Sequence, residues 1–391
     1  MDNITHSIIG FGVGEVVHRS LPAEADALSQ RVRHRLLLVA CALASNFPDL
    51  DLFLTKLLPD PLGYLLNHRG HTHTVLWAVP QALLLAALLW LCWPSARSLL
   101  RASRPARLGL TLSIGLGLAL HLLMDFTNSY GVHPWYPFDG RWLYGDMVFI
   151  IEPLFWVAIG VPMALIMRWR WLRMAGLLAL FAALVFFAAR EYLGWMSFAA
   201  LLLIAAACGF AQWRAGEQGR AGLLLALGVS VAFIAVQGVA SHAGRALVTA
   251  DLQRIDPSAR VLDVAMTAFP SQPLCWAYVS MQSNGTQYRL QRGVASAAPA
   301  WLAAEACPAG LRERTQSVSG SLQELRALKA NSCHVDAWLR FGRMPILADG
   351  VLSDYRFATT PRGNFTSLHV DEKTPCPQGV PAWSYPRADL F

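Results

Sequence analysis

Charge is scarce in this chain. Only 15% of its 391 residues are Asp, Glu, Lys or Arg, where a soluble globular domain carries about 25%. That deficit, beside 55% hydrophobic residues, excludes an ordinary soluble domain and points to a membrane protein. Lysine is nearly absent: 3 of the 32 basic residues are Lys, so the net charge of +7 comes from arginine. The arginines fall in short clusters between apolar runs, which is a topology signal, so no nucleic-acid partner is expected. There is no low-complexity tract and no repeat of 20 to 50 residues, which removes the solenoid classes. The opening "ITHSIIGFGVGEVVH" has neither the cationic start nor the small-residue cleavage site of a signal peptide. It reads instead as a short first helix.

What is present is a succession of apolar runs. A spanning helix needs roughly 20 such residues, and the runs at 36–54, 74–93, 107–124, 148–167, 172–189, 195–213 and 222–241 qualify. With the short segment 4–18 they predict a polytopic α-helical bundle of about eight spans over residues 1–241. Alternate loops carry thirteen arginines (19, 31, 33, 35, 97, 101, 104, 107, 168, 170, 173, 214 and 220), against Lys56, Arg69, Arg141 and Arg190 on the other side. The positive-inside rule puts the first set in the cytoplasm. The amino terminus and the tail, 242–391, then lie outside it, in the arrangement of a multi-pass membrane protein with an extracytoplasmic domain.

The tail is soluble in composition. "RVLDVAM", "CWAYVSM" and "TQYRLQR" read as strands and "SLQELRALKA" as a helix, which predicts a small extracytoplasmic α+β domain. Cys41, Cys92 and Cys208 lie in apolar runs, whereas the tail holds Cys275, Cys307, Cys333 and Cys376. Four cysteines in an extracytoplasmic domain suit two disulfides, with three pairings open.

Mapping ionisable residues onto this topology collects five segments at one membrane face. Asp2 and His6 open the first helix, and "SNFPDLDL" places Asn46, Asp49 and Asp51 at the outer end of the second. "HRGHTHT" (68–74) precedes the third, "HLLMDFTNSYG" puts His121 and Asp125 at the end of the fourth with Ser129 beyond, and "GDMVFIIEP" brings Asp146 and Glu152. Asp2/His6 and His121/Asp125 are i,i+4 pairs, which share a helix face. Charged groups so near hydrocarbon cost a few kcal/mol each, so their convergence implies a use. The mixture of imidazole and carboxylate, without a thiol, suits a divalent transition metal, Zn²⁺ first, with Mn²⁺ or Fe²⁺ as alternatives. His6, Asp49, Asp51, His68, His73, His121 and Asp125 are the expected ligands. They are more than one tetrahedral zinc requires, which favours two ions. Isolated histidines such as His18, His34, His242, His334 and His369 read as ordinary interfacial or surface residues.

The ordered set "DNITHSIIGFG", "FPDLD", "HRGHTHT", "HLLMDFTNSYG", "PFDGRW" and "GDMVFIIEP" resembles the YdjM-like inner-membrane proteins, described as predicted membrane-bound metal-dependent hydrolases, over roughly residues 1–160. The stretch "VLDVAMTAFPSQPLCWAY" resembles the extracytoplasmic segment of longer members. The family's HRG-x-THS pattern falls on His68, Arg69, Gly70, Thr72 and His73, with Thr74 for serine and His71 at the variable position. The usual Asp-Pro pair stands here as Glu152-Pro153. A fainter likeness, on His121/Asp125 and the ligand inventory, is to zinc-dependent phospholipase C and related nucleases.

The resemblance implies a metal-dependent hydrolase, and a site at the membrane boundary implies a lipid or other amphiphilic substrate. In this reading Asp146 or Glu152 is the general base or accepts a hydrogen bond from a ligand, and Arg69 either clamps a phosphate or oxyanion or snorkels to the headgroup level. Asp2, His71, Asn46 and Ser129 support the ligands or touch substrate. Trp135, Tyr136, Phe138 and Trp142 border a lipid entrance or form an aromatic belt. The leading expectation is phosphoester cleavage. The alternatives are lipid amide or ester hydrolysis of the kind membrane ceramidases perform, and a non-enzymatic metal transporter or sensor. Transporter sites lie near the bilayer midplane between repeats, which this sequence does not show.

Overall fold

The computed structural model describes residues 1–309, 315–357, 364–370 and 375–391. The first 255 residues are helical: α1 (Asn3–Ser20), α2 (Ala27–Ala44), a 3₁₀ stretch Phe47–Leu57, α3 (Leu62–Asn67), α4 (Val75–Cys92), α5 (Pro94–Ala102), α6 (Arg104–Phe126), α7 (Pro153–Leu165), α8 (Arg170–Ala189), α9 (Trp195–Ala215) and α10 (Ala221–Ile255). Six segments among the described residues are long and apolar enough to cross a membrane: 27–57, α4, α6, α8, α9 and α10. The eight expected spans therefore resolve into six, plus α1 and α7. In α1 the charges Glu15 and Arg19 dilute an 18-residue helix. In α7, Pro153 at the first turn forces Glu152 into an extended conformation. The helix is thereby cut to 13 residues.

Small residues bring α1, α2 and α6 into close contact. A Cβ on Gly10 would stand 2.8 Å from Ala42 Cα, and one on Gly117 would stand 2.6 Å from Ala44 Cβ. Small-residue packing of this kind is how apolar helices approach within a bilayer. Here it sets the ends of three helices, with His6, Ser45 and His121, side by side.

At 35 residues, α10 is about 52 Å long, well beyond the ~30 Å hydrocarbon core. The domain boundary expected at 241 falls inside it. "SHAGRALVTADLQRI" is too polar to belong to the bilayer, yet nothing in it breaks a helix. It leads directly into a four-stranded antiparallel sheet of β1 (Arg260–Phe269), β2 (Gln272–Ser283), β3 (Gln287–Ser296) and β4 (Gln316–Ser321), in that order. Then come α11 (Leu322–Asn331), α12 (Cys333–Leu339) and a three-stranded sheet of β5 (Pro345–Ala348), β6 (Val351–Asp354) and β7 (Leu368–His369). The expected polytopic bundle with a small α+β domain is thus what the chain forms. The disulfides are Cys275–Cys307 and Cys333–Cys376. Cys41 and Cys208 are buried free thiols, and Cys92 is exposed.

The two halves share a core. Leu62, Leu65 and Leu66 of α3, with Tyr130 and Trp142 of the α6–α7 loop, pack among tail residues Trp338, Phe341 and Trp383. An ionic joint reinforces it. Asp146, at φ +52°, receives both terminal nitrogens of Arg343 at 3.0 and 2.9 Å and Arg245 of α10 at 2.6 Å. Arg343 also reaches Asp263 on β1.

Candidate metal centre

Three helix ends and one loop build the centre. His6 comes from the start of α1, Asp49 and Asp51 from the 3₁₀ stretch after α2, His68 to His73 from the loop between α3 and α4, and His121 and Asp125 from the last turns of α6. Local sequence fixes each piece. Asp2 caps α1 by accepting from the Ile4 and Thr5 amides at 3.0 Å. Pro48 follows the end of α2, where the chain tightens into 3₁₀ turns. Thr74 caps α4 through the Trp77 amide, and Gln81 of that helix holds the Thr72 carbonyl at 2.7 Å.

Asp49, His73, His121 and Asp125 are all buried, and each offers a ligand atom within 4.8 Å of the others. His73 Nε2 lies 2.9 Å from His121 Nε2, 3.2 Å from Asp125 Oδ2 and 3.4 Å from Asp49 Oδ1. His121 Nε2 is 3.6 Å from each of the same carboxylates. The His6 ring stacks on His121 with centroids 4.1 Å apart, and its Nε2 lies 3.4 Å from Asp125 Oδ1. The Met1 amino group also lies against Asp125. A second set, Asp49, Asp51 and His68, shares Asp49 with the first.

Outer contacts aim these donors. The Ser45 carbonyl takes His121 Nδ1 at 2.7 Å, which leaves Nε2 for the centre. Asp51 does the same for His73, whose Nδ1 lies 3.1 Å from Asp51 Oδ2. Asp51 also accepts from the Arg69 amide at 2.9 Å and the Thr72 hydroxyl at 2.8 Å, and it faces His68 Nδ1 at 3.0 Å. Its carboxylate organises the whole "HRGHTHT" loop. Carboxylate or carbonyl partners on the far nitrogen are the usual support of a metal-bound histidine. Burial opposes charge on His73, but the carboxylates of Asp125, Asp49 and Asp51 outweigh it and pull its pKa up to about 10.

The donor set fits a cation. Of the three buried carboxylates Asp125 alone meets a guanidinium, that of Arg69, whose Nε is 3.1 Å from Asp125 Oδ2, while Asp49 and Asp51 face imidazoles. Asp125 Oδ2 and both ring nitrogens of His6 are buried without hydrogen-bond partners. Buried charge and orphaned polar atoms of this kind are costly unless something else satisfies them, and a divalent ion would satisfy Asp125 Oδ2 and the Nε2 of His6, which lies beside that carboxylate.

Not every expected residue belongs to this group. Asp146 and Glu152, expected as general bases, are engaged elsewhere. Asp146 is held by Arg343 and Arg245, while Glu152 accepts from the Leu154 and Ser271 amides and the Ser271 hydroxyl. Asp2 serves as a helix cap instead of supporting a ligand. Asn46 donates to Ser7 and the Ala42 carbonyl, and the Ser129 carbonyl accepts from Arg356. His71 turns away to lie against Tyr136 and Trp383. Of the aromatics, Trp135 and Phe138 are exposed, whereas Trp142 is buried and donates to the Arg340 carbonyl. Tyr136 packs on Trp383.

Sequence reasoning passed over three contributors. Asn128 accepts from Arg69 at 3.0 Å, and the Tyr130 ring lies 4.7 Å from that guanidinium. Thr72 ties Asp51 to the loop. Asn128 and Tyr130 stood in the quoted "HLLMDFTNSYG", just past the Asp125 that Arg69 also touches. His133, buried with both ring nitrogens unpartnered, stacks on Trp383 at 3.8 Å, and burial drives its pKa down to about 3.

Comparison with known proteins gives the family of this part of the chain. The model of the YdjM inner membrane protein family matches residues 1–196, which include every residue of the cluster, and the chain belongs to that family. A Bacillus subtilis (strain 168) protein, "Uncharacterized protein YfhP", is 28% identical over 163 residues, which cover 40% of this chain and 44% of the relative. The chain thus matches less than half the length of that curated relative. No solved structure matches.

Proposed function

We propose that this member of the YdjM family is a membrane-embedded metal-dependent hydrolase that works at the extracytoplasmic face on a phosphoester of a lipid or other amphiphile. One observation carries the reading: buried carboxylates and imidazoles from separate segments converge, with the ligand atoms of Asp49, His73, His121 and Asp125 within 4.8 Å of one another. Asp49, His73, His121 and Asp125 would hold one ion, with His6 beside them. Asp49, Asp51 and His68 would hold a second, and zinc suits the donors best, ahead of manganese or iron. When bound, such an ion supplies Lewis acidity and a water-derived nucleophile at neutral pH.

The chain's own residues do the rest. Asp51 and the Ser45 carbonyl hold His73 and His121 in one tautomer. Arg69, braced by Asn128 and Tyr130, provides a fixed positive charge next to the donors, where a phosphoryl oxygen would sit. This arginine favours a phosphoester over an amide or carboxylic ester, which would not need it. The arginine asymmetry of the loops supports the sidedness, and the site's position at the ends of spanning helices supports an amphiphilic substrate.

The test is metal analysis of purified protein, followed by assay of phospholipids, polyprenyl phosphates and ceramides with and without chelator. We expect bound transition metal and chelator-sensitive phosphoester turnover. Absence of metal would overturn the site, and turnover of amides alone would overturn the phosphoesterase assignment.

A further inference from the structure

An apolar groove of about 720 Å³ runs between α4 and α6 and is closed at one end by the loop around Val132 and Trp135. None of the side chains lining it is charged. It extends from Val75 to Leu83 on α4 and from Gly115 to Phe126 on α6, about 12 and 16 Å by helix rise. That is close to half of a ~30 Å hydrocarbon core, or one leaflet.

Two features set this groove apart from the general lipid-facing surface. Its closed end is made of residues that adjoin the metal donors in the chain: Leu122 follows His121, Phe126 follows Asp125, and Val75 lies two positions after His73. The Val75 amide donates to the Pro134 carbonyl at 2.9 Å, which fixes that end to the loop. Its deep end is left open by a glycine that no helix contact requires. A Cβ on Gly117 would meet Ala44 at 2.6 Å, but one on Gly115 would meet nothing within 4 Å. Gly117 is needed for packing, whereas Gly115 keeps space.

We infer that the groove binds one hydrocarbon chain of a lipid from the same leaflet, with the lipid's polar group at the His/Asp cluster, and that Gly115 sets how long a chain is accepted. The inference rests on the hydrolase reading only for the direction in which the lipid lies. Chain binding itself stands apart from catalysis.

The probe is a phosphatidic acid with a mid-chain diazirine on one acyl chain, incorporated into phosphatidylglycerol vesicles that hold the full-length protein. After irradiation, labelled peptides are mapped by mass spectrometry. We expect saturable labelling concentrated on residues 75–83 and 115–126. Gly115→Trp and Ala119→Trp should each lower it by about tenfold, the loss expected from turning two methylenes out of apolar contact. Leu178→Trp, on the exposed face of α8, should leave it unchanged. Unchanged metal stoichiometry in the variants shows that they are folded. If they lose it, the wild-type labelling map decides alone. Labelling spread evenly over α4, α6, α8 and α9 means bulk lipid only and overturns the groove. Focused labelling without turnover of any phosphoester keeps the groove and removes the hydrolase reading. Turnover with unfocused labelling does the reverse. With both established, Gly115→Trp should shift the substrate preference toward shorter chains.

Discussion

The two ends of the α1–α2 pair carry similar residue types with different partners. At the arginine-rich end, Glu15 is bound by Arg19 and His34, each at 2.6 Å, and Glu24 by Arg33 at 2.9 Å and Ser103 at 3.0 Å. Arg19 continues to the carbonyls of Glu217 and Gly219. Glu15 and Glu24 each have their own guanidinium, so this cluster is closed and ties α1 to α2 and to the α9–α10 turn. At the other end, Arg69 and the Met1 amino group both lie against Asp125, whereas Asp49 and Asp51 meet imidazoles and neutral donors. Charged residues inside a membrane protein are therefore not evidence of function in themselves. The set whose carboxylates face imidazoles is the one suited to a metal ion, because neutral imidazole is a metal ligand and guanidinium is not.

Three substitutions probe that contrast, in decreasing order of their effect on bound metal. Asp125→Asn removes the carboxylate that touches His6, His73, His121 and Arg69 together. Metal affinity should fall by more than the roughly 100-fold upper range for outer partners, as read by competition with a chromogenic chelator. Asp51→Asn leaves the four donors of the first ion in place but removes one from the second set and frees His73 and the loop, and should cost about 10- to 100-fold at the first ion in the same assay. Glu15→Gln at the arginine-rich end should leave metal content at the wild-type level. It should destabilise the protein by about 1–3 kcal/mol by stranding the partners of a buried carboxylate, as read by thermal unfolding in detergent. If Glu15→Gln stripped the metal, or Asp125→Asn retained it, the distinction between the two ends would collapse.

The convergence of the site was legible because its signals are local. His121 and Asp125 share a helix face through spacing alone, and a polar "HRGHTHT" before an apolar run is conspicuous. The roles of Asp146 and Glu152 were not legible, because their partners Arg343 and Ser271 lie 197 and 119 residues away. A carboxylate at a helix start looks the same whether it awaits a proton or an arginine. Asp51 was legible only in part, for a related reason. Spacing showed that it joins the cluster, but only the folded loop shows how much of its carboxylate Arg69, Thr72 and His73 consume. The helical bundle was visible in hydropathy. The short α7 and the extension of α10 beyond the apolar run were not, since a proline's effect on the residue before it and the persistence of helix in water lie outside a hydropathy count.

Trp383 donates to the Leu66 carbonyl at 2.9 Å across 317 residues of chain, and it lies against both His71 and His133. The segment beneath the "HRGHTHT" loop therefore acquires its cover from the distant tail, anchored by Cys333–Cys376. This imposes an order of events. The helices and their donors can assemble while the chain is still emerging, but the surroundings of the loop are finished only when the tail has folded and closed back over them. A long-range closure of this kind is slow to form beside local helix contacts, so the cover of the loop depends on the tail having folded.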